Sequence, residues 1–253
     1  MKTSRLLLIL SAPLLFILLE SFLLWPKFLL GTEIIAILWI LGLVRYFASQ
    51  SSLGKKWLLN ALLPILLYVS LSFSAAILIN SWLIQVIFIF LLVFLIRYFQ
   101  VLYGWLVKND LKQINRLPNF SLSGGLLIIF SAISNIYSLQ VFVSWPTGWL
   151  FGLSVLVIAF VTYNNWQACQ LNIKENLTLF LVINILLAET VAILFFWPFN
   201  YQVLALIVTL VYYVLINCTR LYLSAALDKR KIQLYLIFSA AFFVFLILST
   251  RWF

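Results

Sequence analysis

Residues 82–107 read WLIQVIFIFLLVFLIRYFQVLYGWLV, and Arg97 is the one charge among them. As a helix this stretch would be about 39 Å long at 1.5 Å per residue. That is enough to cross a hydrocarbon core roughly 30 Å thick with some tilt. The apolar run is continuous, whereas a membrane β-strand alternates apolar and polar residues. In a bilayer a helix satisfies its own backbone hydrogen bonds, so the run reads as a transmembrane helix.

Working outward, similar runs fill the chain. Spans are expected near residues 6–24, 28–48, 57–78, 82–107, 122–143, 148–167, 177–197, 200–224 and 232–250, about nine by the twenty-residue rule. The stretch from Met1 to Leu10 starts like a signal peptide. Its apolar run continues to Leu24 without a small-x-small cleavage pattern, so it is expected to be a retained first span. Composition agrees: 66% of the 253 residues are hydrophobic and 9% are charged, and the mean hydropathy is +1.17. A soluble domain is nearer half apolar and a quarter charged. The expected fold is an all-α polytopic integral membrane bundle, a single transmembrane domain over residues 1–253.

The connecting segments are of two kinds. Trp25-Pro26-Lys27, Asn80-Ser81-Trp82, Trp145-Pro146-Thr147 and Trp197-Pro198-Phe199-Asn200 are short and aromatic. Lys55-Lys56, Lys108 to Arg116, Asn172 to Asn176 and Asp228 to Lys231 are charged. Nine crossings put twelve of the 16 Lys and Arg on one side (Lys2, Arg5, Arg45, Lys55, Lys56, Lys108, Lys112, Arg116, Lys174, Lys229, Arg230 and Lys231), leaving Lys27 and Arg251 on the other and Arg97 and Arg220 within spans. The positive-inside rule then expects a cytoplasmic N-terminus and an external C-terminus, in a prokaryotic plasma (inner) membrane. Tryptophan suits the outer headgroup belt, and proline opens the next helix without losing a bonded N–H. The net charge of +10 is assigned to topology and to anionic membrane lipids, not to nucleic acid.

The chain also repeats. Leu43-Val44-Arg45-Tyr46-Phe47 recurs as Leu95-Ile96-Arg97-Tyr98-Phe99, a shift of 52 that also sets Glu33 on Gln85 and Ile35 on Ile87. One residue tighter, Pro13 falls on Pro64 and Ser21-Phe22 on Ser72-Phe73. Helical hairpin repeats are expected over 1–52, 53–108, 121–168 and 176–226, with a closing helix at 232–250. Such parallel repeats occur in transporters and in inert scaffolds.

Ionisable groups inside spans are costly and mark candidate sites. Glu20, Glu33 and Glu189 each lie near an outer turn, about 8–12 Å deep at the helical rise. Together with Arg97, the most deeply placed charge, they form a candidate polar transport or interface site. Snorkelling or pairing at the interface is the plainer role for Glu20 and Glu33. Arg45 and Arg220 are candidate lipid-headgroup contacts, since guanidinium suits phosphate. Asn135 and Asn184 are mid-span amides of the kind that bond between helices. Pro13 and Pro64 should kink their helices and free a carbonyl in each.

Several chemistries are argued against. The chain has no histidine, its one methionine is Met1, and Cys169 and Cys218 are far apart without motif spacing. No metal, cofactor or catalytic residue is therefore expected. Ser123-Gly124-Gly125 lacks the lysine and spacing of a phosphate loop. The nine-span outline with an internal N-terminus resembles the UbiA-type intramembrane prenyltransferases. That family holds magnesium diphosphate on two Asp-rich inner loops. This chain has two aspartates, Asp110 and Asp228. Asn109-Asp110 begins such a motif but continues Leu-Lys-Gln-Ile-Asn-Arg, without the acids magnesium needs.

The expected function is non-enzymatic: a membrane-embedded subunit or scaffold packing with lipids and with other membrane protein subunits. A small transporter or lipid flippase using the intramembrane Glu and Arg is the alternative, and a degenerate lipid-substrate transferase the third reading.

Overall fold

The computed structural model describes residues 11, 13–21, 29–49, 57–77, 81–107, 116–169, 171, 175–197, 199–223 and 229–249. Among them the chain forms nine helices and no strand. They are α1 (residues 13–21), α2 (Leu29–Ser49), α3 (Trp57–Ile77), α4 (Ser81–Leu106), α5 (Leu117–Val143), α6 (Thr147–Ala168), α7 (Leu177–Leu194), α8 (Tyr201–Leu223) and α9 (Lys229–Ser249). The protein is an all-helical multi-pass membrane bundle. Seven helices, α2 to α8, carry a stretch long and apolar enough to cross a bilayer. The expected first span falls partly on residues outside those described. In α9 the described apolar stretch, Gln233–Phe245, is shorter than a span, and Lys229 to Lys231 occupy its first turn.

Helix boundaries differ from the sequence reading where proline acts. α5 begins at Leu117 instead of near 122, because Pro118 in a first turn has no N–H to lose. α7 ends at Leu194 instead of near 197. Trp197 precedes a proline, which disfavours the helical conformation there. The chain closes by tight turns instead, with the Phe196 and Trp197 amides donating to the Ile193 and Leu194 carbonyls at 3.2 and 3.1 Å.

The Trp-Pro connection between α5 and α6 is built as its residues dictate. Ser144 follows the last residue of α5 with a φ of 54°, the left-handed conformation that reverses a chain. The Pro146 carbonyl then accepts from the Trp149 amide at 3.1 Å and opens α6. Trp82, Trp145, Trp149 and Trp197 are all exposed, as an interfacial belt requires.

The chain divides into two compact units, Met1–Gly125 with Gln167–Gln170, and Leu126–Trp166 with Leu171–Phe253. In the first, α2 packs along α3, α3 along α4, and α2 also touches α4. Ala36, Ile40, Val44 and Phe47 make the buried stripe of α2; Phe88, Leu91, Leu95 and Leu102 make that of α4. The start of α5 approaches closely: a Cβ on Gly124 would lie 3.0 Å from a Leu63 methyl and 3.1 Å from the Phe94 ring. Only glycine fits that approach without displacing its neighbours.

Pro64 sits inside α3 and cannot bond the carbonyl of Asn60, one turn earlier. The freed carbonyl is not left bare. The Tyr98 hydroxyl of α4 donates to the Asn60 oxygen at 3.0 Å. The carbonyl that Pro64 frees is thus capped by the tyrosine of the second Arg-Tyr-Phe motif.

In the second unit α7 packs on α8 and α8 on α9. Polar anchors cross between helices. Tyr137 of α5 donates to the Val191 carbonyl of α7 at 3.1 Å, and its ring meets Phe195 edge-on at 4.6 Å. Asn165 of α6 donates through Nδ2 to the Tyr212 hydroxyl of α8. Trp166 meets Phe180 edge-on at 5.5 Å.

Candidate functional site

Each candidate residue has a definite placement. Glu33 lies on the buried stripe of α2 and is 6% exposed, the one buried charged residue type among the described residues. Its neighbours are on α3. The Ser72 side chain is within hydrogen-bonding reach, and Tyr68, one turn before Ser72, is also buried. Ser72 also donates to the Tyr68 carbonyl at 2.7 Å. Glu33 Oε2 is buried without a hydrogen-bond partner. An orphaned carboxyl oxygen in a packed interface is unusual, because leaving such a group unpaired costs about 1–3 kcal/mol or more. Glu20 is half-buried on α1, beside the buried Leu19.

Glu189 is placed differently. It is exposed on α7, on a face shared with Val182, Ile185, Leu186 and Ile193, all exposed. Of the seven candidate spans, α7 has the smallest buried share, 22%. The buried face of α7, on Ile183, Leu187, Val191 and Leu194, is turned away from that stripe. Arg97 is likewise exposed on α4, in line with Val86, Phe90 and Val93, all exposed. Arg45 is exposed on α2, and Arg220 is half-buried in the last turn of α8. A cation in the last turn favourably meets the negative end of the helix dipole.

The candidate charges fall in both units. Glu20, Glu33, Arg45 and Arg97 belong to the first unit, and Glu189 and Arg220 to the second. Asn184 does not act as glue through its amide nitrogen: Nδ2 donates to Phe180 of its own helix at 2.8 Å, and Oδ1 is buried without a partner. The bond between Asn165 and Tyr212 was not legible in the sequence. No spacing ties Asn165 to a tyrosine 47 residues on. Thr162 Oγ1 and Trp166 Nε1, on the same side of α6, are buried without partners.

Two adjoining apolar pockets open in the second unit. One, of about 390 Å³, is lined by Tyr213 of α8 and Leu234, Tyr235 and Phe238 of α9. The other, of about 250 Å³, continues between Leu126, Leu206, Leu210 and Phe242. Their lining suits an acyl chain better than a polar substrate. Among the described residues there is no cluster of three or more Cys, Asp or Glu that could hold a metal ion. No family model, curated protein or solved structure matches the chain.

Proposed function

We propose that the chain is a non-enzymatic subunit of a larger membrane assembly, held in the bilayer by its spans and joined to other membrane proteins through its outward faces. One observation carries the reading. The outward apolar stripes of α4 and α7 each hold one ionisable side chain, Arg97 and Glu189. Charged residues in spans almost always face a bundle interior or a wet cavity. An ionisable group on an exposed apolar face is accounted for when that face becomes the interior of something larger. The charge asymmetry of the loops supports a cytoplasmic N-terminus in a prokaryotic plasma membrane.

Hairpin duplication within the first unit belongs to the same reading. Leu43 and Leu95, and Phe47 and Phe99, are buried at matching positions, while Arg45 and Arg97 are exposed at matching positions. Purification into lipid nanodiscs followed by mass spectrometry tests the subunit reading. A stoichiometric protein that remains bound is the expected result. A lone chain with a tightly held lipid or small molecule would overturn it.

A second reading, transport of a proton or small cation, is favoured by Glu33 alone, whose Oε2 is buried without a partner. Flux through proteoliposomes that Glu33→Gln abolishes, while Glu189→Gln does not, would establish it.

A further inference from the structure

The two outward charges are not equivalent in lipid. An arginine has a long apolar stem and can carry its guanidinium toward the headgroups while the stem stays in hydrocarbon. A glutamate is short. Glu189 lies five residues before the end of α7 at Leu194, about 8 Å along the axis by the helical rise. Its carboxyl is framed along the helix by Ile185 and Ile193, one turn below and one turn above, both exposed and apolar. Thr190, the polar neighbour in sequence, has its hydroxyl turned back onto the Leu186 carbonyl at 2.8 Å. It therefore spends its proton on its own helix.

The geometry of this face is that of a helix seam. Val182, Ile185, Glu189 and Ile193 recur at intervals of three and four residues, which places them along one line of an α-helix. Leu181 and Leu186 flank the line and are also exposed. A single polar residue in an otherwise apolar seam is the device by which packed helices fix register and choice of partner. Lipid tails are as apolar as leucine, so apolar burial alone does not select a protein over lipid at this surface. The selecting element is the carboxyl.

We propose that the α7 face takes a single transmembrane helix of another protein, and that this helix presents a lysine or arginine at the depth of Glu189. The inference rests on the subunit reading and names its partner. Charge complementarity chooses the occupant. A second copy of the chain docked face to face would set Glu189 against Glu189, because a two-fold contact pairs each patch with itself. A basic partner residue instead converts a costly group into a paired one. The small buried share of α7, 22%, leaves room along the helix for such a neighbour.

Site-specific photo-crosslinking in native membranes tests this. A photoreactive residue is placed at Ile185 or Ile193 on α7, and at Val86 or Val93 on α4 for comparison. The α7 positions are expected to yield one protein adduct, identified by mass spectrometry. Glu189→Gln should reduce its yield about tenfold and Glu189→Lys should abolish it. Reversal of the basic residue in the identified partner to glutamate should restore the adduct of the Glu189→Lys chain. Glu189 is exposed, so these variants should remain folded, checked by an unchanged monodisperse elution profile. An adduct that Glu189→Gln and Glu189→Lys both leave unchanged would overturn the ion pair and spare the subunit reading. An adduct of twice the chain mass would replace the partner by a second copy. Lipid adducts alone from α7, with protein adducts from α4, would overturn the α7 face. Lipid adducts alone from both helices would overturn the subunit reading as well.

Discussion

Glu33 and Glu189 make a natural pair. Each lies close to one end of its helix: four residues after Leu29 in one case, five before Leu194 in the other. From its distance to an outer turn, each is expected about 8–12 Å deep. Their surroundings are opposite. Glu33 is enclosed by α2 and α3, with Ser72 against it, whereas Glu189 stands on the barest face of the barest span. Distance from a turn sets the depth of a side chain. Its bearing around the helix is set by the residues three and four away, and those must be judged against a neighbour that the chain does not announce.

The sharpest way to break this comparison is a charge reversal at both sites. Glu33→Lys places an uncompensated cation in a packed interface, and a loss of about 3–5 kcal/mol is expected. Glu189→Lys in the isolated protein should stay within about 0.5 kcal/mol of the parent. Thermal unfolding in detergent, followed by size-exclusion, reads both. Equal damage at the two sites would mean that their surroundings do not differ as described.

A smaller effect sharpens the account of the first unit. Gly124→Leu must displace Leu63 or Phe94, and a loss of about 1–3 kcal/mol is expected from overpacking. Gly148, with open space around its position, is the control, and Gly148→Ala should not destabilise the fold.

The next test isolates a single hydrogen bond. Tyr98→Phe leaves the Asn60 carbonyl without its donor and should cost about 1 kcal/mol, since polar bonds between membrane helices average roughly 0.6 and reach about 1.7 kcal/mol. Pro64→Ala supplies the missing helical N–H. In the Pro64→Ala background Tyr98→Phe should therefore cost much less. Additive losses in that double-mutant cycle would show that the tyrosine does not serve the kink.

The smallest effect is at the turn after α5. Ser144 holds a positive φ that glycine adopts without a side-chain penalty. Ser144→Gly should stabilise by up to about 1 kcal/mol, read as a higher unfolding temperature.

The helices were legible because continuous apolar runs between charged or Trp-Pro connections leave few alternatives. Their lateral partners were not. In water, a helix shows its buried face by keeping polar residues off it. In lipid both faces are apolar, so α6 and α7 carry almost no mark of which side meets protein. Pro64 disclosed a free carbonyl, but nothing in the sequence tied it to Tyr98. The repeat drew attention to the Arg-Tyr-Phe motif through its arginine, yet in the second copy the tyrosine makes the cross-helix bond. Glu33, whose plainer role in the sequence is at the interface, is the one that packing buries, and Glu189 is the one it leaves exposed.

The unequal lengths of the helices have a mechanical consequence. α5 has 27 residues and α7 has 18, about 40 and 27 Å at the helical rise. A hydrocarbon slab roughly 30 Å thick is too thin for the first unless it tilts and slightly too thick for the second. The bilayer beside α7 must pinch, and such elastic strain costs a fraction of a kcal/mol for each ångström of mismatch. A neighbouring helix laid along α7 would replace strained lipid and relax the pinch. Assembly at that face should therefore strengthen as the surrounding acyl chains lengthen, making membrane thickness itself a control on whether the protein stands alone.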